Sequence, residues 1–221
     1  MDQDTFLSRV RESLGRGKTL APAEPPPAFD ESIARLVRHD QDVVTHFASM
    51  ASSLGMKVYR MPAGDAGPRL EALLRELNVK TAAVGFARLP QGDAMLGAVR
   101  RAGVAVIDHS PPRGFDAQYD VDCGITDAVA ALAESGTLIV ESGPRQSRGL
   151  SLLPPIHIAL LPAALILPDM IDYWRTQQGK PALDLPSSIA FISGPSKTAD
   201  IEGELIVGVH GPGQVHVMIL E

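Results

Sequence analysis

The chain has 221 residues, 45% hydrophobic and 21% charged, a length and balance that suit one sizeable globular core. Its formal net charge of −6 argues against nucleic acid as a partner, because a field of that sign does not draw a protein to phosphate backbones. The single cysteine, Cys123, excludes an intramolecular disulfide and a CxxC metal or cluster site, so no iron–sulfur cluster is expected in this chain; six histidines without HExxH or another dense ligand pair argue against another metal centre.

Asp4–Leu14 carries Phe6, Leu7, Val10 and Leu14 at spacings of three and four, which predicts a short helix. The opening residues lack the apolar core of a secretory signal, and a cytoplasmic protein is expected. Gly15–Pro27 holds Pro22, Pro25, Pro26 and Pro27 and reads as an extended linker, so the division expected is 1–30 for helix and linker and 31–221 for the α/β domain. Glu31–Leu54 has an amphipathic stripe that predicts one long helix stopped by Gly55. Strands and helices then alternate: strand Lys57–Arg60, helix Arg69–Leu77, strand Thr81–Gly85, helix Gly92–Arg101 and strand Val104–Ile107. That alternation predicts a mostly parallel sheet with helices on both faces.

Thr126–Ala133 reads as a helix capped by Thr126, and Thr137–Val140 as a strand. His157–Leu161 and Ala164–Leu167 read as short strands around Pro162, and Pro168–Gln177 as a helix. The apolar run Ile156–Leu167 is too short to span a membrane. Ser188–Ser193, Glu204–Gly208 and Val215–Leu220 close the chain as strands.

Several stretches carry groups suited to chemistry. Glu134, Ser135, Gly136 and Thr137 form a tight polar turn, which serves either a ligand or the backbone alone. His157 opens an apolar strand, where histidine is either a core residue or an acid–base group. Glu141 at a strand end is a carboxylate in a solvated loop or a nucleophile. Ser193, Gly194, Ser196, Lys197, Thr198 and Asp200 offer turn amides, hydroxyls and an ammonium to an anion, without the spacing of a Walker loop. His210 projects from a sharp turn with Gly211. If Ser193–Asp200 and His210–Gly213 lie side by side, they frame a cleft for a carboxylate or phosphate.

In their order and wording, GITDAVAALAESGTLIVES (Gly124–Ser142), SLLPPIHIALLP (Ser151–Pro162) and ISGPSKTADIEGELIVGVHGPGQVHVMIL (Ile192–Leu220) resemble the LUD domain family. The resemblance implies an α/β sheet of the ribose-phosphate isomerase and CoA-transferase-like group, with a small added subdomain. It implies a place in the oxidation of L-lactate to pyruvate beside iron–sulfur partner subunits, which would carry the clusters. The family turn usually has threonine where Ser135 stands here, and no catalytic set is transferred. Two functions follow: an accessory subunit that binds a small anionic ligand or partner subunits through its C-terminal loops, or an independent isomerase/CoA-transferase-like enzyme. The second acts on a small phosphorylated or CoA-linked substrate, with Glu134, Glu141, His157 and His210 as catalytic candidates.

Overall fold

A computed structural model of the chain describes residues 2–15, 30–37, 41–108, 114–181, 184–199 and 204–221. Its contacts divide it into two units, Met1–Ala34 and Arg35–Glu221. In the first unit, α1 (Gln3–Ser13) starts behind Asp2, whose carboxylate accepts the Thr5 N–H at 2.8 Å, and buries none of its residues. α2 (Glu31–Ala34) is a single turn. Most of the proline-rich segment lies outside the described residues.

In the second unit, α3 (Val43–Ser53) begins where Asp42 accepts the N–H groups of Val44 and Thr45. The continuous helix expected over Glu31–Leu54 is therefore a correction: Arg35–Val37 are not helical, and a side-chain cap restarts the helix. The next elements are β1 (Lys57–Met61), α4 (Ala66–Glu76), β2 (Thr81–Gly85), α5 (Gly92–Arg101), β3 (Ala105–Val106) and α6 (Gly114–Ala117). Then come β4 (Cys123–Asp127), β5 (Ala130–Leu132), β6 (Thr137–Glu141), β7 (Ile156–Pro162), β8 (Ile166–Leu167), α7 (Met170–Gln177) and β9 (Ile189–Ile192). β10 (Lys197–Ala199), β11 (Leu205–Val207) and β12 (Gln214–Leu220) complete the fold.

Six strands form one parallel sheet in the order β1-β12-β7-β4-β2-β3. One face packs on α4 and α5, with Leu70, Leu74, Met95 and Val99 against Ile125, Ile158 and Met218. The other face packs Ala159, Val217 and Ile219 with Phe47 and Ala51 of α3 and Leu138 of a second sheet. That second sheet runs β8-β5-β6-β9 and shares a smaller core with Tyr173 of α7. The helix-flanked α/β sheet expected from the sequence is thus the fold.

The helix expected over Thr126–Ala133 is overturned. Cys123–Asp127 pairs with β2 and β7, and Ala130–Leu132 pairs with β6 and β8. Every residue from Cys123 to Ala133 is buried, so no polar alternation marks the strands, and tertiary pairing overrides the helix propensity of alanine. Thr126 caps nothing; it lies inside β4. Lys197–Ala199, expected as loop, forms an antiparallel ribbon with Leu205–Val207.

Candidate functional site

The connections leaving β2 and β4 go to opposite faces of the sheet, the first to α5 and the second to β5. Two adjacent parallel strands whose chains part in this way open a crevice at their carboxyl ends. Polar side chains concentrate there.

Asp127 ends β4 and is 1% exposed. Its carboxylate accepts the backbone N–H groups of Ala87 at 2.8 Å and Arg88 at 2.7 Å, which ties the loop after β2 to the end of β4. Gln146, fully buried, donates to the backbone carbonyls of Asp127 and Glu141 and accepts the Asp127 N–H. The loop that carries Gln146 lies directly on the sheet. A Cβ on Gly85 would meet the Arg145 carbonyl at 2.6 Å, and one on Gly124 would overlap the Leu150 carbonyl, so only glycine fits beneath it.

Glu141 ends β6, nearly buried, and takes a charge-assisted hydrogen bond of 2.5 Å from Arg88 Nη2. Arg145 donates from Nη2 to the Ala87 carbonyl. The Arg88–Glu141 pair stands between two cavities. One, of about 390 Å³, is lined by Ser142, Gly143 and Asp184; the other, of about 200 Å³, is lined by Tyr173, Thr176 and Lys180 and walled by Val129, Leu165 and Leu167. Tyr173 is 1% exposed and its hydroxyl has no hydrogen-bond partner among the described residues. Burial, reinforced by the Glu141 charge and opposed by Arg88, raises its pKa, so the phenol remains a donor.

Of the carboxylates singled out in the sequence, Glu141 belongs to this cluster and Glu134 does not. Glu134 lies in the turn before β6, and five residues of strand put Glu141 at the other end, roughly 13 Å away at about 3.3 Å per residue. Partial burial and the charge of Asp169 raise the Glu134 pKa. Asp169, itself 2% exposed, is held by Arg35, which also forms a two-point pair with Asp172.

His157 is fully buried at the start of β7, with Nε2 2.9 Å from Thr126 Oγ1 and Nδ1 unpartnered among the described residues. Burial and the neighbouring His216 lower its pKa to about 4. His216, which the motif reading passed over, faces the opposite core; Tyr59 OH lies 3.1 Å from its Nδ1 and its Nε2 is unpartnered. Burial, then Lys57 and Arg69, lower its pKa to about 4 as well.

The polar turns converge on the last turn of α3. Ser135 Oγ, Thr137 Oγ1 and Ser193 Oγ form a chain with 2.7 Å links. Gly136 has φ +59° and Gly194 φ +121°; added Cβ atoms would meet the backbone of Ala51 at 2.5 Å and of Leu54 at 2.9 Å. Lys197 Nζ donates to the Leu54 carbonyl at 3.2 Å, where a cation complements the helix dipole. The Ser193–Thr198 and His210–Gly213 segments do lie side by side: Ser196 N–H donates to the Pro212 carbonyl at 2.8 Å, and Gly211 abuts the Ser196 side chain. His210 is exposed beside this junction, Thr198 is half-buried in β10, and Asp200 lies outside the described residues. The structure therefore joins the serine, threonine, glycine and lysine motifs to each other but not to Glu141 or His157.

The sequence reading missed Arg88, Asp127, Gln146 and Tyr173. Arg88 and Glu141 are 53 positions apart, so no local spacing links them. Among the described residues no group of three or more His, Cys, Asp and Glu is arranged to hold a metal ion, and no helix is long and apolar enough to cross a membrane.

Comparison with known proteins adds to the geometry. A family model described as LUD domain matches residues 44–220. Lactate utilization protein C from Halalkalibacterium halodurans is 32% identical over 228 residues, covering 99% of this chain and 97% of its own. The protein of the same name from Geobacillus thermodenitrificans is 42% identical over 103 residues, covering 45% of this chain and 42% of its own. Among solved structures, a DUF162 family protein from Deinococcus radiodurans superposes with a TM-score of 0.56 at 19% identity, covering 81% of this chain and 97% of that one.

Proposed function

The chain belongs to the LUD domain family, and from that premise we propose that it serves lactate utilisation as an accessory subunit of an L-lactate-oxidising assembly. In this reading it works in the cytoplasm beside iron–sulfur subunits that carry the electrons, and it meets them through its C-terminal loops. Relatives named Lactate utilization protein C, matched over nearly their whole length, support the process. One observation carries the subunit role. The β10–β11 ribbon exposes Leu205 (61%), Ile206 (46%) and Val207 (51%), with Val209 (50%) just beyond.

A two-stranded ribbon is marginal in water without an apolar face to pack on, and a run of exposed aliphatic side chains marks a surface that another protein covers. Lys197 and Gly194, at the base of this ribbon, are engaged with the end of α3. Partner contact is therefore the role we assign to these loops.

The test is a subunit-omission assay on the assembly purified from its native cell. Lactate-dependent dye reduction is expected to fall when this chain is left out and to return when it is added back. Ile206→Asp is expected to keep the melting temperature of the isolated chain while abolishing co-purification and add-back. Full activity without the chain, or unchanged association of Ile206→Asp, refutes the subunit reading.

A second reading has its own support. The buried Glu141 carboxylate, placed at the carboxyl ends of the strands beside Arg88, is where an isomerase/CoA-transferase-like enzyme would hold a base or nucleophile. Turnover of a sugar phosphate or acyl-CoA by the isolated chain, lost in Glu141→Gln, would favour it.

A further inference from the structure

We infer that the cleft between β6 and α7 is a binding site for a short-chain monocarboxylate. The inference stands on this cleft alone, and it holds or fails whether or not the chain serves lactate utilisation.

The first observation is the orphaned Tyr173 hydroxyl. Tyr173 is 1% exposed, lines the cleft, and packs edge-on to Trp174 and Phe191. Phenylalanine would fill the same space. A hydroxyl buried without a partner carries a desolvation cost that its packing does not explain, and a small shift of the ring toward the cavity would bring it to an acceptor there.

The second observation is charge. Two cations, Arg88 and Lys180, and one carboxylate, Glu141, line the cleft, so its side chains sum to one positive charge. Glu141 engages Arg88 through Nη2 only, and the other guanidinium N–H groups have no acceptor among the described residues. Lys180, exposed at the rim, donates from Nζ to the neutral Gln177 amide, and no carboxylate pairs with it among the described residues. A single anionic group therefore neutralises the site, whereas a dianion overcharges it. The backbone of Arg88 is fixed by Asp127, so the guanidinium is rooted in a rigid loop.

The third observation is size and wall. The cavity is about 200 Å³, a volume suited to a small ligand, and Val129, Leu165 and Leu167 give it an apolar side. A carboxylate with a short alkyl tail suits both halves: oxygens toward Arg88, Lys180 and the Tyr173 hydroxyl, carbon toward the aliphatic wall. The cleft also lies beside the crevice where the chains leaving β2 and β4 part, the place where open α/β sheets bind small ligands.

The chain supplies its own reporter, because Trp174 is its single tryptophan and its ring lies 5.2 Å from that of Tyr173. The full chain is titrated with sodium propionate while tryptophan fluorescence is followed, with sodium chloride at matched ionic strength as control. A saturable change with propionate and none with chloride is expected. Arg88→Gln should weaken the propionate constant about tenfold, and Tyr173→Phe by several-fold, as loss of charged and neutral hydrogen bonds dictates. Circular dichroism checks both folds; Arg88 is more than half exposed, so its variant carries the test if Tyr173→Phe misfolds. No saturable response, an equal response to chloride, or wild-type affinity in Arg88→Gln overturns the inference.

Discussion

Acid should unfold this protein through its two buried histidines before its carboxylates titrate. His157 has an ordinary value of 6.5 and is held near 4, because protonation would place a charged ring among Val215, Ala159 and Thr126 with Nδ1 unpartnered. The sign follows from that depression. The fold favours the neutral ring, so the contribution is complete above pH 6.5, declines below it by ~1.4 kcal/mol per unit, and is exhausted once pH passes about 4. The full displacement corresponds to about 3 kcal/mol, of which about 2 kcal/mol is lost between pH 7.5 and 5. His216 is depressed in the same direction and steepens the loss, the part due to Lys57 and Arg69 being sensitive to salt. Asp122 and Asp172 are held below 3.8 by their hydrogen bonds and release their contributions only at lower pH. Glu134, raised above 4.5, acts with the opposite sign. Urea denaturation at pH 7.5 and 5, with equal m-values, measures the difference. His157→Gln keeps an acceptor for Thr126 and should reduce the pH-dependent loss by about 2 kcal/mol. Wild-type stability that is flat over this range, or a loss unchanged in His157→Gln, refutes the reasoning.

Three further outcomes follow from packing. Tyr173→Phe in ligand-free protein should raise stability by about 1 kcal/mol in a urea melt, because it removes an unsatisfied hydroxyl; a loss would show that the hydroxyl is paired. Gly124→Ala should cost more than about 3 kcal/mol or prevent folding, since the added methyl overlaps the Leu150 carbonyl, and a near-wild-type melting temperature would contradict that close approach. Arg35→Ala should cost about 3 kcal/mol by leaving Asp169, at 3% side-chain exposure, without its cation; a cost under about 0.5 kcal/mol would mean the pair is inert.

The strands and helices most legible in the sequence are those bounded by strong punctuation. Thr81–Gly85 and Gly92–Arg101 form as read, because glycine, proline and charged residues bracket clear apolar patterns. The largest misreading falls on GITDAVAALA. Its strands are buried on both sides, so the polar half of the alternation is missing, and alanine pairs three apart (Ala128 with Ala131, Ala130 with Ala133) imitate a helix. Glu141 was visible as a carboxylate at a strand end; its partners were not, because Arg88, Gln146 and Tyr173 reach it only through the sheet and α7. The glycines of the C-terminal motifs were legible as turns. Their purpose, close approach to Ala51 and Leu54 of the α3 terminus, needs the fold.

That one misreading and the missed site have a common cause. Read as a helix, Thr126–Ala133 would place Asp127 in a first turn, where a carboxylate favours the helix dipole and needs no other partner. As the last residue of β4, Asp127 instead reaches across the sheet to two backbone N–H groups of the loop after β2. That reach sets Arg88 beside Glu141, and the same β4–β5 connection carries Val129 and Ala130 into the wall of the cleft. The site thus joins a loop from the first half of the chain to β6 and α7 from the second. No short motif encodes it; its parts meet only when β4 lies between β2 and β7, which makes the pairing of β4 the step on which both fold and site depend.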